Sequence, residues 1–146
     1  MLKSTLFALS VAFVAVFSSA TYAEQKQTLG NWDVHYSAFT STFLAPKVAT
    51  TYGITRSASK GVLNISVLDK NTQAPQELEV TGQVVNPLGQ IQSLEFQKIT
   101  EAEAVYYITQ FDYTNAETLR FTINIGDEQT LKFNQEFFKK NESLQG

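Results

Sequence analysis

Cysteine is absent from this chain of 146 residues, and histidine occurs only once, at position 35. Without cysteine the protein has no disulfide framework, no thiol nucleophile, no thiolate metal site and no lipid anchor on an N-terminal cysteine. His35 and carboxylates are then the main donors left for a metal, and the acids form no spaced run like that of an EF-hand loop. We therefore expect no metal, no cofactor and no catalytic constellation.

Long apolar runs are also scarce, and the longest lies at the N-terminus. It extends from Leu6 to Phe17 with Ser10 as its only polar residue, follows Lys3, and is followed by small residues up to Ala23. This layout is typical of a secretory signal peptide. We expect cleavage after Ala23, with the bond after Ala20 as the alternative. Because about 20 apolar residues are needed to cross a bilayer, we expect no membrane span after cleavage.

A basic stripe is missing as well. The chain has 11 Lys and Arg against 14 Asp and Glu, a formal net charge of −3 that becomes −4 when Lys3 leaves with the signal. Binding to a phosphate backbone demands clustered positive charge, so nucleic acid is excluded as a partner. The length that remains suits one domain, which we place at residues 24–138, followed by a polar tail at 139–146.

What dominates residues 24–138 is alternation of apolar and polar side chains with a period of two, which is typical of β-strands. The clearest case is residues 119–125 and 131–133, two alternating runs around Gly126-Asp127, which predicts a tight hairpin. Residues 104–113 are apolar on both faces, which predicts a strand that is central in its sheet or covered on both sides. About seven strands with regular turns favour an immunoglobulin-like β-sandwich, with a small closed barrel as the alternative.

Two shorter features complete the predicted fold. Residues 45–53 carry Pro46 where a helix tolerates proline and Gly53 where helices commonly end, which predicts a helix of one or two turns. Residues 77–84 and 90–99 flank an Asn86-Pro87-Leu88-Gly89 turn, which predicts a second hairpin.

Several of these segments resemble a known family. They are residues 33–44 (DVHYSAFTSTFL), 52–57 (YGITRS) with 61–68 (GVLNISVL), and 104–108 (AVYYI). Together they resemble the bacterial exported family catalogued as domain of unknown function 4426, over nearly all of the chain after the signal. The resemblance implies a Gram-negative, periplasmic setting. It implies no activity, because none is assigned to the family.

His35 is the first candidate for function, because an imidazole can exchange a proton near neutral pH. Alternation places it on the polar face of its strand with Asp33 and Ser37, where it is a candidate general base for Ser37 or Ser41. A catalytic triad, however, needs residues that converge from different loops. We therefore favour a half-exposed strand histidine over a catalytic one.

The segment from 40 to 56 is the second candidate, because it interrupts regular strands with a polar cluster, the short helix and an arginine, and loops on a rigid sandwich often carry function. If their strands are neighbours, polar residues here converge on a site for a carboxylate or a peptide backbone. The alternative is that Arg56 pairs with an acid and Asn64 braces the loop. The candidate binding residues are His35, Thr40, Ser41, Arg56, Asn64 and Ser66.

Two functions follow from these patterns. The first is a non-enzymatic module that binds a periplasmic protein or an envelope component through a sheet edge or the 40–56 segment. The alternative is a small-molecule-binding domain or a hydrolase that uses a polar patch around His35.

Overall fold

The computed structural model describes residues 24–139, so the predicted signal peptide and residues 140–146 of the tail lie outside the described residues. The described part contains nine β-strands, a 3-10 turn at Ser41–Phe43 and one helix, α1, at Pro46–Thr51. The strands are β1 (Gln25–Leu29), β2 (Trp32–Thr40), β3 (Lys60–Asp69), β4 (Val80–Val85), β5 (Ile91–Glu95), β6 (Gln97–Glu101), β7 (Ala104–Asp112), β8 (Glu117–Ile125) and β9 (Gln129–Phe137). Within residues 24–139 no helix is long and apolar enough to cross a membrane.

The strands form two antiparallel sheets that pack face to face, which confirms the predicted β-sandwich. One sheet has the order β1-β2-β3-β7-β6 and the other the order β5-β4-β8-β9. The described residues contain two strands more than the seven or so expected. One of them, β1, reads QKQTL and buries little, so it lacks the apolar alternation by which the other strands are recognised.

The second additional strand arises because residues 90–99, predicted as one strand, divide at Phe96. β5 pairs with β4, which confirms the predicted hairpin, whereas β6 pairs with β7 in the other sheet. Leu94 and Phe96 both contact the core, so the period of two continues to the crossing point. Alternation reports which residues are buried but not which sheet buries them, and the change of sheet is therefore invisible in the sequence.

The main core lies between the two sheets. It takes alternate residues from every long strand, such as Leu119, Phe121, Ile123 and Ile125 of β8, which are all buried. The ring of Phe121 stacks on Phe133 of β9 at a centroid distance of 4.6 Å. The strict alternation that predicted the β8–β9 hairpin is thus the direct result of facing this core.

The outer face of the five-stranded sheet carries a second, smaller core. Side chains of β2, β3, β6 and β7 meet residues of the 40–56 segment there. Within this segment α1 begins at Pro46 and ends before Gly53, as predicted, and Gly53 lies in the left-handed region. The members of this cluster are Phe39, Leu44, Ala49, Ile54, Val62, Ile99, Tyr106 and Ile108. The apolar cover ends partway along β2 and β3, and the next residues on the same face are polar on both strands.

Candidate functional site

Four polar side chains occupy the uncovered part of this outer face. The strand register places His35 opposite Ser66 and Ser37 opposite Asn64, on the neighbouring strands β2 and β3. Directly opposed residues of an antiparallel pair point to the same face with Cβ atoms about 5 Å apart. The four side chains therefore form a two-by-two patch, which we call the polar quartet.

Three atoms of the polar quartet are buried without a hydrogen-bond partner in residues 24–139: His35 Nε2, Ser37 Oγ and Asn64 Oδ1. Ser37 is 7% exposed and Asn64 is 8% exposed. A buried polar group left unpaired costs about 1–3 kcal/mol, and about nine in ten buried polar groups avoid that cost by pairing. Three such atoms in one patch therefore mark the part of this face where a bound molecule, water included, finds hydrogen-bonding groups that the protein itself does not use.

Two adjoining cavities lie at the quartet. The larger, about 360 Å³, is a half-open cleft lined by His35, Asn64 and Ser66 and also by Glu24, Glu103 and Tyr106, together with Gln73 and Pro75 of the loop after β3. The smaller, about 20 Å³, is lined by the four quartet residues with Glu24 and Tyr36. A space of that size accommodates about one non-hydrogen atom such as a water oxygen.

Glu24 links the two cavities to the histidine. Its Oε1 lies 3.0 Å from His35 Nδ1, and Glu24 lines both the cleft and the small cavity. An imidazole that donates its Nδ1 proton to a carboxylate presents Nε2 as an acceptor when it is neutral. The Glu24 contact therefore orients the unpaired Nε2 of His35 as an acceptor for the quartet.

The electrical environment of the cleft is acidic. Burial raises the pKa of Tyr106 to about 12, and the nearby carboxylates of Glu24 and Glu101 add to the increase. Beside the quartet, the hydroxyl of Thr28 (2.7 Å) and the amide of Gln73 (3.0 Å) donate to Asp33 and lower its pKa, so Asp33 stays ionised. Negative charge therefore predominates around this face at neutral pH.

The other predicted site residues lie elsewhere. Thr40 shares a hydrogen bond of 3.0 Å with the hydroxyl of Tyr113 and is buried. Ser41 is buried as well, where it donates to the carbonyl of Ser57 (3.0 Å) and accepts from the Ser57 amide (2.8 Å). Both side chains hold the 40–56 segment onto the sandwich and neither lines the cleft.

Arg56 also has a bracing geometry. Its Nε donates to the carbonyl of Leu44 at 2.8 Å and its second terminal nitrogen donates to the carbonyl of Thr42 at 3.1 Å. Arg56 thus ties the two ends of the segment together through carbonyl groups and does not line the cleft. Of the six predicted residues, the structure brings together His35, Asn64 and Ser66.

Sequence reasoning left out Ser37, Glu24 and Glu103 as binding residues. Ser37 had a usable signal, because it alternates with His35 and a correct β2–β3 register places it opposite Asn64. Glu24 and Glu103 had none, since they enter the cleft from the segment before β1 and from the turn after β6. Over residues 24–139 no three His, Asp or Glu side chains are grouped so that they can hold a metal ion.

Comparison with known proteins places the chain in a family. A crystal structure of a DUF4426 family protein from Pseudomonas aeruginosa PAO1 is 39% identical, with a TM-score of 0.71 over 81% of this chain and 97% of that one. Two structures of FetP from uropathogenic E. coli strain F11 are similar in fold alone: one of the protein expressed in the periplasm and one of a copper-bound variant. Each is 9% identical to this chain and covers 82% of this chain and 97% of its own, with TM-scores of 0.53 and 0.52. No curated protein matches the sequence. Residues 26–140 match the model of the domain of unknown function DUF4426, and the chain therefore belongs to that family, as its strand motifs suggested.

Proposed function

We propose that this chain is exported to the periplasm and works there as a non-enzymatic binding protein that holds a small polar molecule in the cleft beside the polar quartet. The observation that carries the proposal is the group of three buried, unpaired polar atoms at His35, Ser37 and Asn64. A ligand that bonds to them gains a net 0.5–1.5 kcal/mol or so for each hydrogen bond. The cleft volume of about 360 Å³ falls in the usual range for small-molecule sites.

Copper, which a variant of FetP binds, is a poor match for this chain. Cu(I) sites favour soft thiolate and thioether donors with imidazoles. This sequence has no cysteine, a single histidine, and a single methionine that is Met1 of the predicted signal. Because residues 24–139 also contain no group of three His, Asp or Glu side chains that could hold a metal ion, the ligand that we propose is an organic molecule.

A protein partner bound through the 40–56 segment ranks below the small ligand. Ser41 and Arg56 made the segment a candidate because they are polar. Their side chains, however, donate hydrogen bonds to backbone carbonyl groups of the segment or of the adjacent Ser57. The polar quartet, in contrast, has bonding capacity left over.

Native mass spectrometry tests the proposal. The exported protein, incubated with the small-molecule fraction of a periplasmic extract, is expected to carry a bound mass of a few hundred daltons at most. Asn64→Leu keeps the side-chain size and removes the unpaired oxygen, and it is expected to lose that mass. Asn124→Leu, on the exposed face of β8 in the other sheet, is the matched control and should keep it. A bare chain in every sample, or equal retention by Asn64→Leu, contradicts the proposal.

A hydrolase is the second candidate, and the Glu24–His35 contact of 3.0 Å favours it because such a contact orients a general base. Against it, His35 Nε2 and Ser37 Oγ are both unpaired, so they do not bond to each other as a base and its nucleophile do. Hydrolysis of p-nitrophenyl acetate that disappears in both His35→Ala and Ser37→Ala supports the hydrolase. Hydrolysis unchanged in either variant rules out this pair as the catalytic one.

A further inference from the structure

The small cavity within the polar quartet has a chemical pattern of its own. Its unpaired atoms are His35 Nε2, Ser37 Oγ and Asn64 Oδ1, and each can accept a hydrogen bond. Glu24 lines the same cavity, and when its carboxylate accepts the Nδ1 proton of a neutral His35, Nε2 is left as an acceptor. The residues that carry these three atoms, and Glu24 with its negative charge, thus line a volume of about 20 Å³.

A primary ammonium group fits this pattern better than any other common ligand group. It is one non-hydrogen atom in size, carries a positive charge and offers three N–H donors once it is attached to a carbon chain. A hydroxyl group offers only one donor, and a carboxylate offers none and would face Glu24. The ammonium group thus suits the small cavity in its number of donors, its size and its charge.

The adjoining cleft supplies room for the rest of such a molecule. Within residues 24–139 the cleft is lined by two acidic residues, Glu24 and Glu103, and by Tyr106, and no lysine or arginine lines it. The nearest cation along the strands, Lys26, which pairs with His35 in the register, lies 3.9 Å from Asp33. The field in the cleft therefore favours a cation.

Resting on the proposed function, we infer that the ligand is a primary amine whose ammonium group enters the small cavity and bonds to His35, Ser37 and Asn64 while its body lies in the cleft. Glu24 balances the charge. The amine binds without any covalent step.

The test uses the exported protein and four probes of one shape: phenethylamine, 2-phenylethanol, 3-phenylpropionate and phenethyltrimethylammonium. The last keeps the charge but has no N–H donor and is too large for the small cavity. Binding is followed by the amide signals of residues 35, 37, 64 and 66 in two-dimensional ¹H–¹⁵N NMR. We expect phenethylamine to bind at least about tenfold more tightly than the other three, which corresponds to about 1.4 kcal/mol.

Two variants test whether the preference for phenethylamine depends on Asn64 and Glu24. Asn64→Leu is expected to abolish it, and Glu24→Gln, at an exposed residue before β1, is expected to weaken phenethylamine with little effect on the alcohol. Glu24→Gln keeps the test valid if Asn64→Leu does not fold. If the alcohol, the carboxylate or the trimethyl probe binds the quartet as tightly as the amine, the amine inference is wrong and the binding function stands. If no probe moves the quartet signals, both are wrong.

An ammonium group for the small cavity could also come from the chain itself, because cleavage after Ala23 creates a new α-ammonium group on Glu24. The experiment is therefore run on protein that begins at Glu24 and on protein that begins at Thr21, as cleavage at the alternative site would give. Equal binding of phenethylamine by both forms supports a free amine as the ligand. Binding only by the longer form shows that the chain's own terminus fills the cavity and overturns the inference.

Discussion

Two buried serines of this protein respond in opposite ways to the same substitution if the polar quartet is a site and not a structural element. Ser37 is 7% exposed with an unpaired hydroxyl, whereas Ser41 is fully buried and makes two hydrogen bonds with the backbone of Ser57. Replacement by alanine removes one oxygen atom in each case. The two variants therefore differ mainly in whether that oxygen is paired.

The structure gives the expected size of each effect. Ser41→Ala removes both bonds and leaves the amide and carbonyl of Ser57 without them, at a cost of about 1–3 kcal/mol. Ser37→Ala removes a group that already bears an unpaired cost, so its effect lies between zero and a gain of about 1 kcal/mol. For a domain of this length 1 kcal/mol shifts the melting temperature by about 3–6 °C, so the two variants separate clearly.

Urea denaturation followed by tryptophan fluorescence measures both variants against the parent protein, since the chain has a single tryptophan, Trp32. We expect equal m-values, a lower midpoint for Ser41→Ala, and an unchanged or higher midpoint for Ser37→Ala. A loss in Ser37→Ala as large as that in Ser41→Ala refutes the reasoning. It would mean that the Ser37 hydroxyl is well paired in solution and that the quartet is a satisfied structural network.

Three further expectations follow from the structure. Gly61→Ala places a Cβ atom against the ring of Phe111 with no room for it, so we expect unfolding to cost about 1–3 kcal/mol less, and an unchanged denaturation midpoint would contradict that packing. Arg56→Gln should cost about 1–2 kcal/mol by losing its bond to Leu44, yet leave ligand affinity by calorimetry unchanged. Because the folded state holds the Tyr106 proton up to about pH 12 whereas an unfolded tyrosine loses it near 10, stability falls as the pH rises between these values; Tyr106→Phe should flatten that fall in melting curves.

Elements with a strong burial pattern were predictable from the sequence. The β8–β9 hairpin, strand β7 and helix α1 each combine apolar residues in a regular pattern with turn residues at their ends, and all three are present. β7 is covered on both faces, because it contributes side chains to both cores. The polar strand β1 and the change of sheet at Phe96 were not, because neither alters which residues are apolar. The alternation of apolar residues shows which side chains are buried. The sheet to which a strand belongs depends instead on its pairing with strands that are distant in the sequence.

The candidate site was predictable only where it follows strand periodicity. His35, Asn64 and Ser66 were identified because alternation places them on polar faces, and the β2–β3 register then brings them together. Thr40, Ser41 and Arg56 were included because polar loop residues resemble site residues in sequence, although here their polar groups are used to brace the segment. Whether a buried polar atom is paired depends on its three-dimensional neighbours, which no single-sequence pattern contains.

The position of the polar quartet argues for function through what the same two strands do a few residues away. Phe39 and Val62 lie opposite each other on the same outer face and are buried beneath the 40–56 segment, so this face can carry an apolar core. One and two pairs further along, the strands instead bury Ser37 with Asn64 and place His35 beside Ser66. With neither water nor a ligand bonded to them, these three atoms would cost several kcal/mol in a domain whose whole stability is typically about 5–15 kcal/mol. Apolar residues at these positions would need no partner, so the polar residues that stand there support the proposed ligand site.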